Sequence, residues 1–262
     1  KDTGLGGAIA VSTVDNDVVA AVEGSILRTT TGSFSGKAKE TGVVVSMAVA
    51  GAGSEKTAIA GSVVMNLFIN NIDAHITDST ITAGGAVALN AEDLEVSVAL
   101  AGGVAIAAKT GGSAVGAAVG VNLVFNSVTA VADTAIISSG STIDISAVSQ
   151  EVLVSVTIGG AGGEKFALGG SISVGVTMST VEAKVVGTSD LDATGDVKIN
   201  ANDSTTVVLV AGGFAGSGKT AIGVAASTVY EQNTILANID ASSVTSTGGK
   251  VSVISGIAPP TT

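Results

Sequence analysis

The chain contains no cysteine and no tryptophan, and its 262 residues include only two prolines, one histidine, one tyrosine and one arginine. Without cysteine, neither disulfide bonds nor thiolate metal sites can form. With a single arginine and a net charge of −11, the chain lacks the clustered basic surface that neutralises phosphates, which disfavours nucleic-acid binding. It also has no uncharged, strongly apolar run of about 18 residues, so no membrane span is expected.

The residues that are abundant are small or β-branched. The hydrophobic fraction is 46%, the aromatic fraction is 2%, and there are 36 glycines. Valine, isoleucine and threonine favour pleated strands, and glycine permits tight corners. Segments such as SVVMNLFI, SISVGVTM and DVKINAN alternate or run apolar between Gly, Ser, Thr, Asn and Asp. No segment shows the apolar stripe of an amphipathic helix, so the sequence predicts an all-β protein.

A lysine followed at a nearly constant distance by a branched aliphatic anchor recurs along the whole chain. The lysines are Lys1, Lys56, Lys109, Lys165 and Lys219, and the anchors are Val18, Ile72, Val128, Val181 and Ile235. The intervals from one anchor to the next are almost equal, and a fixed period of this length indicates a repeat array. We divide the chain into repeats 1–55, 56–108, 109–164, 165–218 and 219–262, the last of which contains Pro259 and Pro260.

A parallel β-helix, or β-solenoid, accounts for the period because equivalent positions in successive coils stack as ladders. Within one repeat, the segment that begins at Gly61 also aligns with the segment that begins at Gly85, which predicts two coils per repeat and about ten coils in all. The general rule for parallel crossovers predicts a right-handed, single-stranded helix. We interpret residues 26–42 as a connecting loop.

Asparagines recur at distances that fit whole repeats. Asn66 is followed one period later by Asn122, and Asn90 is followed two periods later by Asn200. Each pair could stack as a side-chain ladder at a corner of the coil. This predicts a structural role for these amides.

The segment GFAGSGKT, Gly213 to Thr220, matches the phosphate-binding-loop pattern G-x-x-x-x-G-K-[ST]. In a nucleotide hydrolase, the loop backbone from Gly213 to Gly218 would hold phosphates, Lys219 would reach the β- and γ-phosphates, and Thr220 would bind Mg²⁺. The same junction elsewhere reads GAGSEKT at Lys56 and GAGGEKF at Lys165, so one copy meets the pattern by drift. No amphipathic helix follows to hold the anion, and we interpret the match as a decoy.

Two acidic segments suggest metal binding. Asp190, Asp192 and Asp196 lie close together in SDLDATGD and form a weak calcium candidate, with AEDLE, residues 91–95, as the matching acidic turn of another repeat. The glycine-rich nonapeptide of calcium β-rolls is absent, so we favour solvated turns and predict no cofactor. His75 and Asp73 share one face of a strand and could pair or share a metal, although a single histidine makes a poor metal site.

Blocks such as GSAVGAAVGVNLVFNSVTAVA and TGDVKINANDSTTVVLVAGG resemble the repeat regions of large Gram-negative filamentous adhesins of the filamentous-haemagglutinin and leukotoxin type, which are secreted by type V routes. The resemblance covers essentially the whole chain. It implies a right-handed parallel β-helix, an extracellular or cell-surface location, and a role in adhesion or fibre building. It supplies no catalytic residues.

The sequence therefore predicts a structural or adhesive β-solenoid that forms or extends a bacterial surface fibre and has no enzymatic activity. The expected partner is another copy of the chain, or neighbouring repeats of a longer chain, stacked end to end. The alternative is an adhesin or toxin passenger domain that binds host or cell-surface glycans or proteins. A polysaccharide-active β-helix enzyme and a nucleotide binder are the remaining, less favoured readings, because such an enzyme needs converging carboxylates and usually aromatic stacking surfaces.

Overall fold

A computed structural model of the protein describes residues 2–257; Lys1, Pro259 and Pro260 lie outside the described residues. The described chain is built from strands alone, in the repeating order of a long, a short and a second long strand. The strands are β1 (Thr3–Glu23), β2 (Ile26–Thr29), β3 (Phe34–Ser54), β4 (Thr57–Thr77), β5 (Thr80–Ala83), β6 (Val87–Ala107), β7 (Ser113–Asp133), β8 (Ile136–Ser139), β9 (Ile143–Gly163), β10 (Phe166–Val186), β11 (Asp190–Ala193), β12 (Val197–Ser217), β13 (Thr220–Ile239), β14 (Ser243–Ser246) and β15 (Val251–Ile257).

The strands form three parallel, five-stranded sheets. The front sheet has the order β1-β4-β7-β10-β13, the back sheet β15-β12-β9-β6-β3, and the short side sheet β14-β11-β8-β5-β2. Every strand pairs with the equivalent strand of the next repeat, as in Thr3 with Thr57 and Thr57 with Ser113. The prediction of a parallel β-solenoid whose strands pair at the period of the sequence is confirmed, while its handedness stays a prediction.

The prediction of ten coils is wrong, because each repeat makes one wide coil and the solenoid has five. The two similar halves of a repeat lie opposite each other across the interior instead of stacking. Asn66 of β4, for example, donates a hydrogen bond to Ser97 Oγ of β6 at 3.2 Å. The similarity between the segments that begin at Gly61 and Gly85 therefore reflects two strands that line the same interior.

The loop predicted for residues 26–42 is also wrong. Ile26–Thr29 forms β2, and Phe34 opens the 21-residue strand β3. Its glycines, threonines and charges suggested a loop, but lysines such as Lys37 and Lys39 occupy the outward positions of β3, while Ala38 and Glu40 point inward and are buried.

Three turns connect the strands of a coil, and they contain the variation in repeat length among the first four coils. The turn from the back sheet to the next front strand, called here the tip turn, has two residues at Glu55–Lys56 but five at 108–112. The lysines Lys56, Lys109, Lys165 and Lys219 all lie in tip turns. The turn after each front strand contains a residue with positive φ, such as Thr134 at 51° and Asp78 at 47°.

The interior of the coil changes character from one end to the other. Near the side sheet lies the main apolar core, which contains the predicted anchors Ile72, Val128 and Val181, all fully buried and stacked in register. Near the tip turns, the front and back sheets are lined by alanine and glycine and come very close together. A Cβ on Gly116 would lie 1.9 Å from Gly160 O, so only glycine fits there. Between these two zones lies a polar strip.

Candidate functional site: a polar seam inside the solenoid

Buried acids and amides run along the solenoid between the apolar core and the alanine–glycine zone; we call this strip the polar seam. The front sheet contributes Asn16, Asn70, Asn126, Ser179 and Asn233, which are register partners in successive strands. The back sheet contributes Glu40, Asp93, Glu95, Glu151 and Asp203. Asp93 and Asp203 are 0% exposed, Glu151 1% and Glu95 2%, so these carboxyl groups are out of contact with bulk water.

Each of the first three coils joins its two sheets through an amide and a carboxyl group. The side-chain nitrogen of Asn16 donates to Glu40 at 3.4 Å, that of Asn70 to Glu95 at 3.2 Å, and that of Asn126 to Glu151 at 2.8 Å. In the fourth coil Thr177 and Ser179 donate to Glu151 of the coil before. These bonds give the buried acids part of the solvation that they lose with water.

A second amide ladder lies alongside. Asn66 donates to Asn122 Oδ1 at 3.1 Å, which confirms the ladder predicted for this pair, although it lies in mid-strand instead of at a corner. The ladder predicted for Asn90 and Asn200 does not form directly. Both residues lie on the back sheet, and Ser146 stands between them in register.

The pKa values of the seam acids lie far above their ordinary range. Burial, followed by the charge of Asp93, raises the pKa of Glu95 to about 9. Burial together with the hydrogen bond and charge of Glu40 raises the pKa of Asp93 to about 8. Burial, followed by the charge of Glu151, raises the pKa of Asp203 to about 6. The raised pKa values of Asp93 and Glu95 therefore favour the protonated form of these buried acids at neutral pH.

The acidic turn predicted for residues 91–95 is wrong, because these residues lie within strand β6. Glu92 points outward and pairs with Lys37 at 2.8 Å, whereas Asp93 and Glu95 point inward. The signal was available in the alternation of the strand, because Asp93 and Glu95 have the same parity as the apolar residues Leu89 and Ala91. The charge of the segment masked that parity.

The structure places the phosphate-loop match at a tip turn. Gly213 lies within β12, Gly218 and Lys219 form the turn, and Thr220 opens the 20-residue strand β13 where a nucleotide-binding loop would open a helix. The backbone N–H groups of Lys219 and Thr220 both donate to Ser217 Oγ at 3.2 Å. A Cβ at Gly213 would lie 2.2 Å from Val224 O, so sheet packing explains this glycine.

The calcium candidate lies at the side sheet. Asp190 and Asp192 are exposed residues of β11, and Asp196 lies in the following turn, where its Oδ1 accepts the backbone N–H of Lys250 at 2.9 Å. Within residues 2–257 no group of three or more histidine or acidic side chains is arranged to hold a metal ion. Calcium binding therefore has no geometric support here, and its absence stays a prediction.

His75 and Asp73 form the pair expected from their spacing. His75 Nδ1 lies 2.6 Å from Asp73 Oδ2, and Nε2 lies 2.9 Å from Glu23 Oε1 of the first coil. Partial burial disfavours the charged ring, but the hydrogen bonds to Glu23 and Asp73 outweigh it and raise the pKa of His75. Thr129 of the third coil donates to Asp73, so this cluster joins three coils on the outer surface.

The chain matches no protein-family model, no curated protein and no solved structure. The resemblance to filamentous adhesins therefore stays a prediction. Within residues 2–257, no helix is long and apolar enough to cross a membrane.

Proposed function

We propose that this solenoid is a structural, non-enzymatic element of an extracellular bacterial surface fibre, and that the fibre grows by stacking coil on coil. The observation that carries the proposal is the open edge at each end of the described solenoid. Strand β1 pairs only with β4, and β13 only with β10, so one edge of each has unpaired backbone groups. Such edges are templates for further parallel strands.

The side chains at the two ends support this proposal. The anchors Val18 and Ile235 of the terminal coils are only partly buried, whereas the equivalent Ile72 of the second coil is fully buried. Another coil would cover them, and burial of apolar surface stabilises by about 25 cal/mol per Å². A second molecule or further chain can supply that coil, because a new strand can continue the register of the front sheet beside β1 or β13. On the back sheet, the described part of β15 covers only seven of the 21 positions of β12.

The position of the buried carboxyl groups fits a structural role better than a catalytic one. The carboxyl groups with strongly raised pKa values lie inside the solenoid, where that of Glu95 joins the two long sheets through Asn70. Catalytic carboxyls must instead reach a substrate. The proposed mechanism is mechanical, since continuous ladders of backbone and side-chain contacts resist local opening.

Electron microscopy of the purified protein tests the proposal, with two variants on strand β13. Val229 is 51% exposed and lies in an interior row at the open end, in register with Gly175. Val229→Lys places a charge where the next coil must stack, so it should shorten fibres to single rods. Thr234→Lys, on the outward face of the same strand, should leave fibres intact.

Fibres of uniform width that lengthen with protein concentration, and that only Val229→Lys removes, are the expected result. Short monodisperse rods at every concentration would contradict stacking. A glycan array on the same preparation would then test the alternative of a receptor-binding adhesin.

A further inference from the structure

The half of the front sheet's outward surface that lies nearest the tip turns is apolar across all five coils. In each front strand, five successive outward positions, from Leu5 to Thr13 in β1, contain no charged residue in any coil. We call these positions, listed coil by coil, the apolar face: Leu5, Gly7, Ile9, Val11, Thr13; Ile59, Gly61, Val63, Met65, Leu67; Val115, Ala117, Val119, Val121, Leu123; Leu168, Gly170, Ile172, Val174, Val176; and Ile222, Val224, Ala226, Thr228, Tyr230. Ile9 is 77% exposed and Ile172 49%.

The apolar face is as large as one side of a stable protein–protein interface. Five rows at ~6.7 Å along the strands and five strands at ~4.8 Å across cover about 800 Å². The largest apolar patch on a monomeric protein is usually about 300–600 Å², and a standard interface buries about 800 Å² on each partner. A face of this size in a chain with net charge −11 needs a partner that is apolar at the same place.

The relief of the face fits a copy of itself. Small residues such as Gly7, Gly61 and Gly170 fill most of the second outward row and make a groove parallel to the solenoid axis. The rows on either side stand up as ridges, with Leu168 on one side and Ile172 on the other. Two copies can meet face to face with their strands running in opposite directions. If the third row of each copy then lies over the second row of the other, each ridge enters a groove and most of the rows overlap.

The relief also selects the orientation of the two copies. A twofold axis along the strands would place every outward row over its own copy, so that ridge would meet ridge and groove would meet groove. A twofold axis parallel to the solenoid axis reverses the strands, and it lets the third row of each copy lie over the second row of the other.

We propose that two copies of this chain associate side by side through the apolar face, about a twofold axis that is parallel to the solenoid axis. A twofold interface uses the same surface on both copies, as the ridge and groove require. This pairing uses the flank of the solenoid, and it does not depend on stacking at the ends.

Analytical ultracentrifugation of the chain and two matched variants tests the pairing. Ile172→Lys places a lysine in a central ridge, and Ile158→Lys places one on the outward back sheet, where Ile158 is 45% exposed. Burying an unpaired lysine should weaken dimerisation by about 100-fold or more, so Ile172→Lys should sediment as a monomer. Ile158→Lys should dimerise like the unchanged chain. Val229→Lys, added to each chain, separates this dimer from end-to-end stacking, because it should leave side-by-side pairs intact.

A single spin label tests the orientation, since the chain has no cysteine. With Thr110→Cys, an exposed tip-turn position, the proposed twofold axis puts the two labels at opposite borders of the interface, at least ~35 Å apart at ~6.7 Å per row. Labels closer than ~25 Å would overturn this orientation, because only the other axis brings tip turns together. A monomer at all concentrations, or equal loss of dimer in both lysine variants, would overturn the pairing. So would flotation with phosphatidylcholine vesicles that Ile172→Lys abolishes, since that result assigns the face to lipid.

Discussion

Keeping the buried carboxyl group of Glu95 protonated should destabilise the folded protein at neutral pH, and Glu95→Gln should remove this cost. Glu95 is 2% exposed, its Oε2 accepts from Asn70, and its Oε1 has no hydrogen-bond partner. Glutamine has the same shape, accepts the same bond from Asn70 and cannot ionise. In the folded protein it therefore replaces a glutamic acid that already carries a proton, since the pKa of Glu95 is about 9.

The magnitude follows from the proton that folding must take up. An unfolded glutamate has a pKa of 4.5, so keeping Glu95 protonated at pH 7 costs about 3 kcal/mol, at ~1.36 kcal/mol per pH unit. Because folding raises the pKa of Glu95, its contribution to the free energy of unfolding is fully present below the unfolded pKa. That contribution is lost as pH rises toward the folded pKa of about 9. Glu95→Gln should thus raise the free energy of unfolding by ~3 kcal/mol at pH 7 and by close to zero at pH 4.

Urea unfolding followed by far-UV circular dichroism measures the effect, since the chain has no tryptophan to report by fluorescence. Asp192→Asn, at an exposed acid of the side sheet, is the control and should change stability little at either pH. The unchanged protein should be most stable near pH 4 and should weaken toward pH 8, because Asp93 behaves in the same way. An equal gain at pH 4 and pH 7, or none at either, would refute the reasoning.

Further substitutions and ligands test other parts of the structure. Gly116→Ala should cost about 1–3 kcal/mol by urea unfolding because its Cβ meets Gly160 O, whereas Gly162→Ala, with nothing within 4 Å, should be neutral; equal effects would count against the close sheet packing. Thr134→Gly should raise the free energy of unfolding by about 1 kcal/mol, and with it the melting temperature, since it relieves a φ of 51°. Millimolar ATP with Mg²⁺ should leave the melting temperature unchanged, and a Mg²⁺-dependent increase would restore the role of Lys219 as a phosphate ligand. Calcium should leave it unchanged as well, and an increase that Asp192→Asn abolishes would restore that site.

The sequence predicted those features that its period encodes directly. The anchors Ile72, Val128 and Val181 recur at the period, and their parallel pairing follows from the demand that equivalent positions stack. The Asn66–Asn122 ladder follows in the same way. Periodicity determines which residues stack, but it does not show whether one repeat makes one coil or two.

The number of coils could therefore not be predicted from the sequence. Two strands that face each other across one interior share the same apolar and polar zones, so they resemble each other as two stacked coils would. The polar seam was missed for a related reason. A charged residue in a sequence is read as exposed, and only the partner amide on the opposite sheet, such as Asn70 for Glu95, makes a buried acid tolerable. That partner lies on a different strand and follows no local rule.

The long strands of the first four coils all have the same length, and variation in repeat length among these coils is confined to the turns. A residue inserted within a strand would reverse the facing of every side chain after it in that strand, which would turn interior residues outward and surface residues inward. An insertion in a turn changes nothing downstream, as the longer tip turn at 108–112 illustrates. The turns are thus the positions at which this chain can diverge or accept a grafted peptide, and a row of grafts at successive tip turns would be displayed at ~4.8 Å intervals along one edge.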